Sequence, residues 1–438
     1  MRRTAGSPTK RASCPNDTRP IAGGRTSEAR GTEGVNRTRN NALPVLIAGG
    51  GIGGLATALG LANKGFAVQV LEKSARLGEI GAGIQLGPNA FHAFDWLGVG
   101  DTARGMAIYV DSLRLMDALS AEEICHIDLG DEFRARFRNP YAVIHRGDLH
   151  AVFLRACEAH PKVALRTSAE VSRYEQDETG VSAILASGEA VRGAALIGAD
   201  GLWSNVRRQL LGDGKPRVSG HTTYRSVIPT EAMPEALRWN AATLWAGPKC
   251  HIVHYPLQGW KSFNLVVTYH NDAPEPVAGK PVDESEVFAG FQHVHPTAQS
   301  IIRHGRDWKL WVLCDRDPVE NWVDGRVALL GDAAHPMLQY MAQGACMAME
   351  DAVCLAHMMA SHDGAIAPAL TAYNRRRSLR TARVQLQSRA VGDHVYHPAG
   401  AHAALRNAIM RAKSQAEWRG VMAWLYGGSG LEENDATG

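Results

Sequence analysis

The chain has 438 residues, of which 45% are apolar and 21% charged, enough for two or three domains with a large core and too apolar for global disorder. Its net charge of +3 is unevenly spread, with +6 on residues 1–42 and −3 on residues 43–438. A mildly acidic body excludes phosphate-backbone binding as the main activity, so no nucleic-acid partner is expected.

Residues 1–42 are rich in Arg, Thr, Gly, Ser and Asn and almost free of aliphatic side chains. Such a segment cannot offset its own ordering entropy and is expected to be disordered. It reads either as a basic arm or transit peptide, or as sequence upstream of a later start such as Val35. Residues 43–62 carry no charge for twenty positions, but six of those are Gly, five of them within Gly49–Gly54. That composition suits a turn rather than a helix in lipid, and no apolar segment follows Arg2-Arg3 before Leu43, so neither a membrane span nor export is expected.

Residues 44–48 form an apolar run that enters the glycines, hence a buried strand. Ile52–Lys64 has helical spacing and stops at Gly65, and Phe66–Leu71 is a second strand that ends at Glu72. This is a βαβ unit, which implies a parallel sheet. Further strands of the same kind run over Ala194–Gly198, before Asp200-Gly201, and Arg326–Leu330, before Gly331-Asp332. Between them, Thr222–Val227, Ala242–Trp245, His251–Tyr255 and Ser262–Tyr269 alternate with period two, with turns at Gly247-Pro248 and Gln258-Gly259. These predict a largely antiparallel sheet in a second domain. Residues 271–286 are expected to form a surface loop. From Gly344 the chain reads as helical, over Ala345–Ala360, Ala367–Arg389 and one last amphipathic stretch ending near Trp424.

The pattern Gly49-x-Gly51-x-x-Gly54 lies between strand and helix, and Glu72 follows Gly54 by eighteen residues. Glycines there let backbone N–H groups at a helix N-terminus meet a pyrophosphate, and an acid at the end of the next strand accepts hydrogen bonds from ribose hydroxyls. The same carboxylate would repel a 2′-phosphate. These elements predict dinucleotide binding without separating NAD from FAD, and an NAD-dependent dehydrogenase remains an alternative at this point.

Two later segments carry a family resemblance. Gly198-Ala-Asp200-Gly201-Leu-Trp-Ser204-x-Val-Arg207 resembles the Asp-Gly motif of flavoprotein aromatic hydroxylases, and Gly325-Arg326-Val-Ala-Leu-Leu-Gly331-Asp332-Ala-Ala-His335-Pro336 resembles their Gly-Asp motif. Gly78–Asn89 and His145-Arg146-Gly-Asp-Leu-His150 match as well. The resemblance spans roughly residues 43–425. It implies an α/β fold in which a Rossmann-like FAD-binding domain (43–218 and 318–365) is interrupted by an antiparallel substrate domain (219–317) and followed by a helical region (366–438). It also implies bound FAD on Gly49, Gly51, Gly54, Glu72, Arg146 and Asp332, with NADH or NADPH as a transient reductant and O2 as co-substrate. A helix opening at Gly344-Ala345 would direct its N-terminal dipole at the negative charge of reduced flavin.

The likeness is nearest to the branch that converts 3-hydroxybenzoate to gentisate; salicylate and 6-hydroxynicotinate hydroxylation are the alternatives. By this resemblance His251 and Gln339 handle the ring hydroxyl of the aromatic acid, and Tyr255 and Tyr141 hold the substrate. Gln343 departs from the pattern, since relatives often carry a smaller residue there, which leaves flavin contacts at that position open. Independently of the resemblance, strand alternation puts His251, Val253 and Tyr255 on one face and Ile252 and His254 on the other. His251 reads either as a satisfied core histidine or as a pocket residue.

Other signals point away from other chemistries. The pairs His251/His254 and His293/His295 have no Cys or carboxylate partner to complete a zinc pattern, so no metal is expected. Arg375-Arg376-Arg377 with Arg380 and Arg383 lies on a helix without interleaved aromatics and reads as a solvated face. No Gly-x-Ser-x-Gly elbow is present. Seven cysteines without a Cys-x-x-Cys pair suggest reduced thiols and a cytoplasmic protein. The oligomeric state, homodimer included, is left open.

Overall fold

Val45–Ala48, buried at all four positions, occupies an inner place in a six-stranded sheet. The order is Val323–Asp324, Val327–Leu329, Ala195–Gly198, Val45–Ala48, Val68–Leu71 and Val163–Arg166. All neighbours pair in parallel except the first two. Helices cover parallel sheets on both faces, which is why these strands read as continuous apolar runs. The computed structural model describes residues 43–78, 82–428 and 431, so the tail 1–42 and its expected disorder lie outside the described residues.

The expected antiparallel strands form as Arg217–Pro229, Ala241–Gly247, Cys250–Leu257 and Ser262–His270. They belong to an eight-stranded sheet whose range differs from the expected 219–317. Ser112–Asp117 and Glu123–Asp128 join it, the first pairing in parallel with Ala241–Gly247. Alternation marks a strand but not its partner, so a crossover of this length is invisible locally. Within the expected loop 271–286, Ala278–Pro281 pairs at the sheet edge. A three-stranded sheet of Gly83–Leu86, Ala142–His145 and Ile108–Tyr109 carries Gln85 and ends beside Tyr141.

Helix Gly344–Ser361 follows, then the 26-residue helix Ile366–Val391 and a π-helical turn, Gly392–Tyr396. The single last stretch expected from the sequence is two helices, Gly400–Arg411 and Gln415–Tyr426, the second started by a Ser414/Glu417 capping box. No described helix is long and apolar enough to cross a membrane.

A buried charge network joins these parts. Asp351 accepts hydrogen bonds from the Gly331 backbone N–H at 3.0 Å, from His335 Nε2 at 2.6 Å and from Arg377 Nε at 2.7 Å. Glu350 accepts from Arg377 at 2.6 Å, Arg380 at 2.7 Å and Asn89 at 2.8 Å. Burial alone would raise the Asp351 carboxyl; the charges of His335 and Arg377 outweigh it and hold it at about 2. Arg375–Arg377 is therefore not uniformly a solvated face: Arg377 is 1% exposed.

Arg377→Met should lower stability by about 3–5 kcal/mol in urea unfolding, because it leaves two buried carboxylates short of a partner. Asp351 has a depressed folded pKa, so its contribution is present above its unfolded value of ~3.9 and lost as pH falls toward 2. Asp351→Asn should flatten stability against pH in that window.

Candidate active site

At the end of strand Val45–Ala48 the chain turns through Gly49, whose φ is +105°. A Cβ at Gly54 would lie 2.1 Å from the Gly49 carbonyl oxygen, so strand and helix can meet this closely only through glycine. Gly51 caps helix Ile52–Asn63 with extended backbone. His150 Nε2 lies 2.8 Å from the Gly50 carbonyl, which fixes the loop from outside. Glu72 accepts from the N–H groups of Gly50 at 2.7 Å and Ser74 at 2.8 Å. Half-burial raises its pKa, but these hydrogen bonds outweigh that and leave it below the usual carboxylate range.

The two later motifs meet across the sheet. Asp200 accepts from the backbone of Asn205 and Val206 and so holds the start of helix Asn205–Leu211. Arg207 is fully buried and donates to the carbonyls of Ala333 at 2.9 Å and Ala334 at 2.6 Å. Asp332 is left exposed on its turn, facing the opening of helix Gly344–Ser361. Gln343 is buried, and its Oε1 accepts from Asn89 Nδ2 at 2.9 Å. This settles the unusual residue into the charge network.

A single cavity of ≈ 1110 Å³ is lined by Gly49, Gly51, Glu72, Arg146, Asp332, Gly344 and Ala345 at one end and by His251, Tyr255, Tyr141 and Gln339 at the other. Of the expected site residues only Gly54 lies outside the lining, buried in the turn beneath it. The geometry fits FAD: free backbone at a helix N-terminus for the pyrophosphate, carboxylates of Glu72 and Asp332 after strands on either side of Val45–Ala48 for hydroxyls, and a long helix N-terminus for the pyrimidine edge.

Sheet register builds the far end. Thr223, Thr268 and His251 form one cross-strand row; Arg225, Val266 and Val253 form the next; Val227, Asn264 and Tyr255 form the third. His251, Val253 and Tyr255 line the cavity, whereas Ile252 is in the core and His254 packs beside Trp239 and Phe263. Tyr141 donates to Gln85 Oε1 at 2.6 Å. Gln339 accepts from Arg225 at 2.7 Å and donates to Thr223 and Thr268 at 3.1 and 3.2 Å, so its amide orientation is set.

Sequence reading missed Arg225. It lines the cavity, makes no ion pair among the described residues, and has an Nε without a hydrogen-bond partner. Burial pushes its pKa below the usual value. A charged residue within the β-branched and aromatic run Thr222–Val227 was the available signal. His251 is buried, where Arg225 is half-buried, and burial, then His397 and His221, push it well below 6.5. It is a neutral imidazole at pH 7, with Nδ1 toward His397.

The FAD binding domain family matches residues 42–388. The chain is 56% identical over 389 residues to 3-hydroxybenzoate 6-hydroxylase 1 of Aquipseudomonas alcaligenes, covering 89% of this chain and 98% of that protein. It is 49% identical to the 3-hydroxybenzoate 6-hydroxylase of Polaromonas naphthalenivorans, covering 88% and 96%. The chain belongs to the FAD-dependent aromatic hydroxylases. Among solved structures, HpxO of Klebsiella pneumoniae in complex with FAD and uric acid aligns with this hydroxylase at a TM-score of 0.78 and 25% identity, over 88% of this chain and 97% of that one.

If the hydroxylase holds FAD where the cradle lies, Gly51→Leu should block backbone approach to the pyrophosphate and Asp332→Ala should remove a hydroxyl acceptor. Both should purify with several-fold less flavin per protein, read from the ratio of visible to 280 nm absorbance.

Proposed function

We propose that this hydroxylase converts 3-hydroxybenzoate to gentisate with O2 and NADH or NADPH. The near-full-length likeness to curated 3-hydroxybenzoate 6-hydroxylases carries the reading. A cavity that combines a half-buried cation with a neutral imidazole supports it, since the substrate brings a carboxylate and a phenol. The need for NAD(P)H and the free cysteines suit the cytoplasm.

Bound FAD, once reduced, supplies the activated oxygen from O2. The chain does the rest. Arg225 pairs with the substrate carboxylate, a charge-assisted contact that offsets the cation's desolvation. Tyr255 and Tyr141 flank the ring. His251 Nε2 accepts the phenolic proton, which raises electron density at the carbon para to that oxygen. Gln339, held by Arg225 and two threonines, keeps the ring from turning. Leu244, Val266, Met337 and Met341 supply an apolar wall that excludes water.

Product analysis decides the substrate. The parent should form gentisate from 3-hydroxybenzoate with NADH oxidation coupled to product, and should turn over salicylate and 6-hydroxynicotinate poorly. His251→Ala should reduce hydroxylation ~10²–10⁴-fold with flavin retained. Tyr255→Phe should weaken substrate binding by about 0.5–1.5 kcal/mol. Gln339→Ala should divert NADH into hydrogen peroxide, measured as gentisate formed per NADH consumed.

A further inference from the structure

His251 is the inner end of a longer contact. Its Nδ1 lies 2.8 Å from Nε2 of His397, and the two rings stack with centroids 5.1 Å apart at 23°. His397 follows the π-helical turn Gly392–Tyr396 and is half-buried. Its position is fixed through its backbone, which donates to Gly392 and accepts from Lys249. Other groups surround the pair. His221 lies 5.2 Å from His397 and bonds the Tyr340 hydroxyl. His270 lies 4.2 Å from His221 and pairs with the exposed Asp272 at 3.2 Å. Tyr340 and Tyr396 meet His251 edge-on or tilted. Asp393 and Arg217 act on His221 with opposite sign. The cluster runs from the cavity wall to solvent at Asp272.

Burial and mutual repulsion hold the imidazoles neutral, His221 at about 4 and His397 at about 3. A proton left on His251 alone would be a buried charge without a carboxylate beside it. An imidazole can nevertheless pass a proton by receiving one on one nitrogen as it releases another.

We propose that His397 is a positioning and relay residue for the hydroxylation, taking the Nδ1 proton of His251 as His251 Nε2 takes the phenolic proton of the substrate. The inference rests on the phenolic substrate of the preceding section. The substrate O–H bond breaks and a His251 Nε2–H bond forms. The His251 Nδ1–H bond breaks and a His397 Nε2–H bond forms. The proton on His397 Nδ1 passes to water, which leaves a phenolate in the pocket and a hydrated proton outside, with no electrons exchanged. Protonation of the product phenolate by the reverse route restores both tautomers. At no stage does His251 carry a charge.

The test is rapid mixing of FAD-loaded enzyme with 3-hydroxybenzoate in weak buffer containing a pH indicator, beside steady-state kinetics. The parent should release a proton on binding. His397→Phe should release it, and hydroxylate, at least about tenfold more slowly, with flavin content and KM close to the parent's and with kcat rising with pH. His397→Gln, which can still hydrogen-bond His251 but cannot relay, should match His397→Phe, and decides the matter if the Phe variant fails to fold. Parental release rates in either variant, or a parent that releases no proton, overturn the relay. A parent that forms no gentisate overturns only the substrate reading, since proton release is then measured with whichever phenolic acid it hydroxylates.

Discussion

The pair of adjacent carboxylates in helix Gly344–Ser361 is the constraint on which the site depends. Glu350 and Asp351 are both fully buried, and two charges at that depth persist only if cations and N–H groups surround them. Arg377 spans both from the next helix. Asp351 holds the Gly331 backbone and His335 on the turn that carries Asp332. Glu350 holds Asn89, and Asn89 holds Gln343 at the helix opening. One network thus sets the carboxylate at Asp332, the helix N-terminus at Gly344 and the loop between them. Its worth is in position rather than stability, since buried ion pairs seldom outperform apolar packing.

Across the cavity the constraint is sheet register. Three strands align Thr223, Thr268 and His251 in one row and Arg225, Val266 and Val253 in the next. A slip of one residue in Cys250–Leu257 would turn His251 and Tyr255 into the core and bring Ile252 and His254 to the cavity. The packing of Ile252 in the core opposes that slip. The polar groups of the substrate end are therefore fixed by the apolar side of the same strand.

Burial then decides the chemistry those groups can do. A dry pocket suits an oxygen-transfer step that water would divert, but it also strips His251 of its ordinary basicity. The same desolvation leaves Arg225 a cation without a carboxylate partner. In the proposed reaction both residues act through what meets them: an anion for Arg225, and a second imidazole for His251.

Much of this was legible in the residues themselves. The glycine turn, Glu72, the alternation at His251–Tyr255 and the motifs around Asp200 and Asp332 are local patterns, set by backbone sterics and by period-two or period-3.6 side-chain direction. Those patterns hold over a few residues whatever the rest of the chain does. Tertiary structure alone decided the partners. The strands at Ser112–Asp128 join the distant sheet, Gln343 finds Asn89, and Arg377 leaves an apparent solvated run for the interior. Arg225 meets Gln339, and His397, 146 residues after His251, meets its ring. Contacts between residues that distant depend on how sheets and helices pack, and burial, which sets the charge state of each site residue, is a property of the whole packed molecule rather than of any segment.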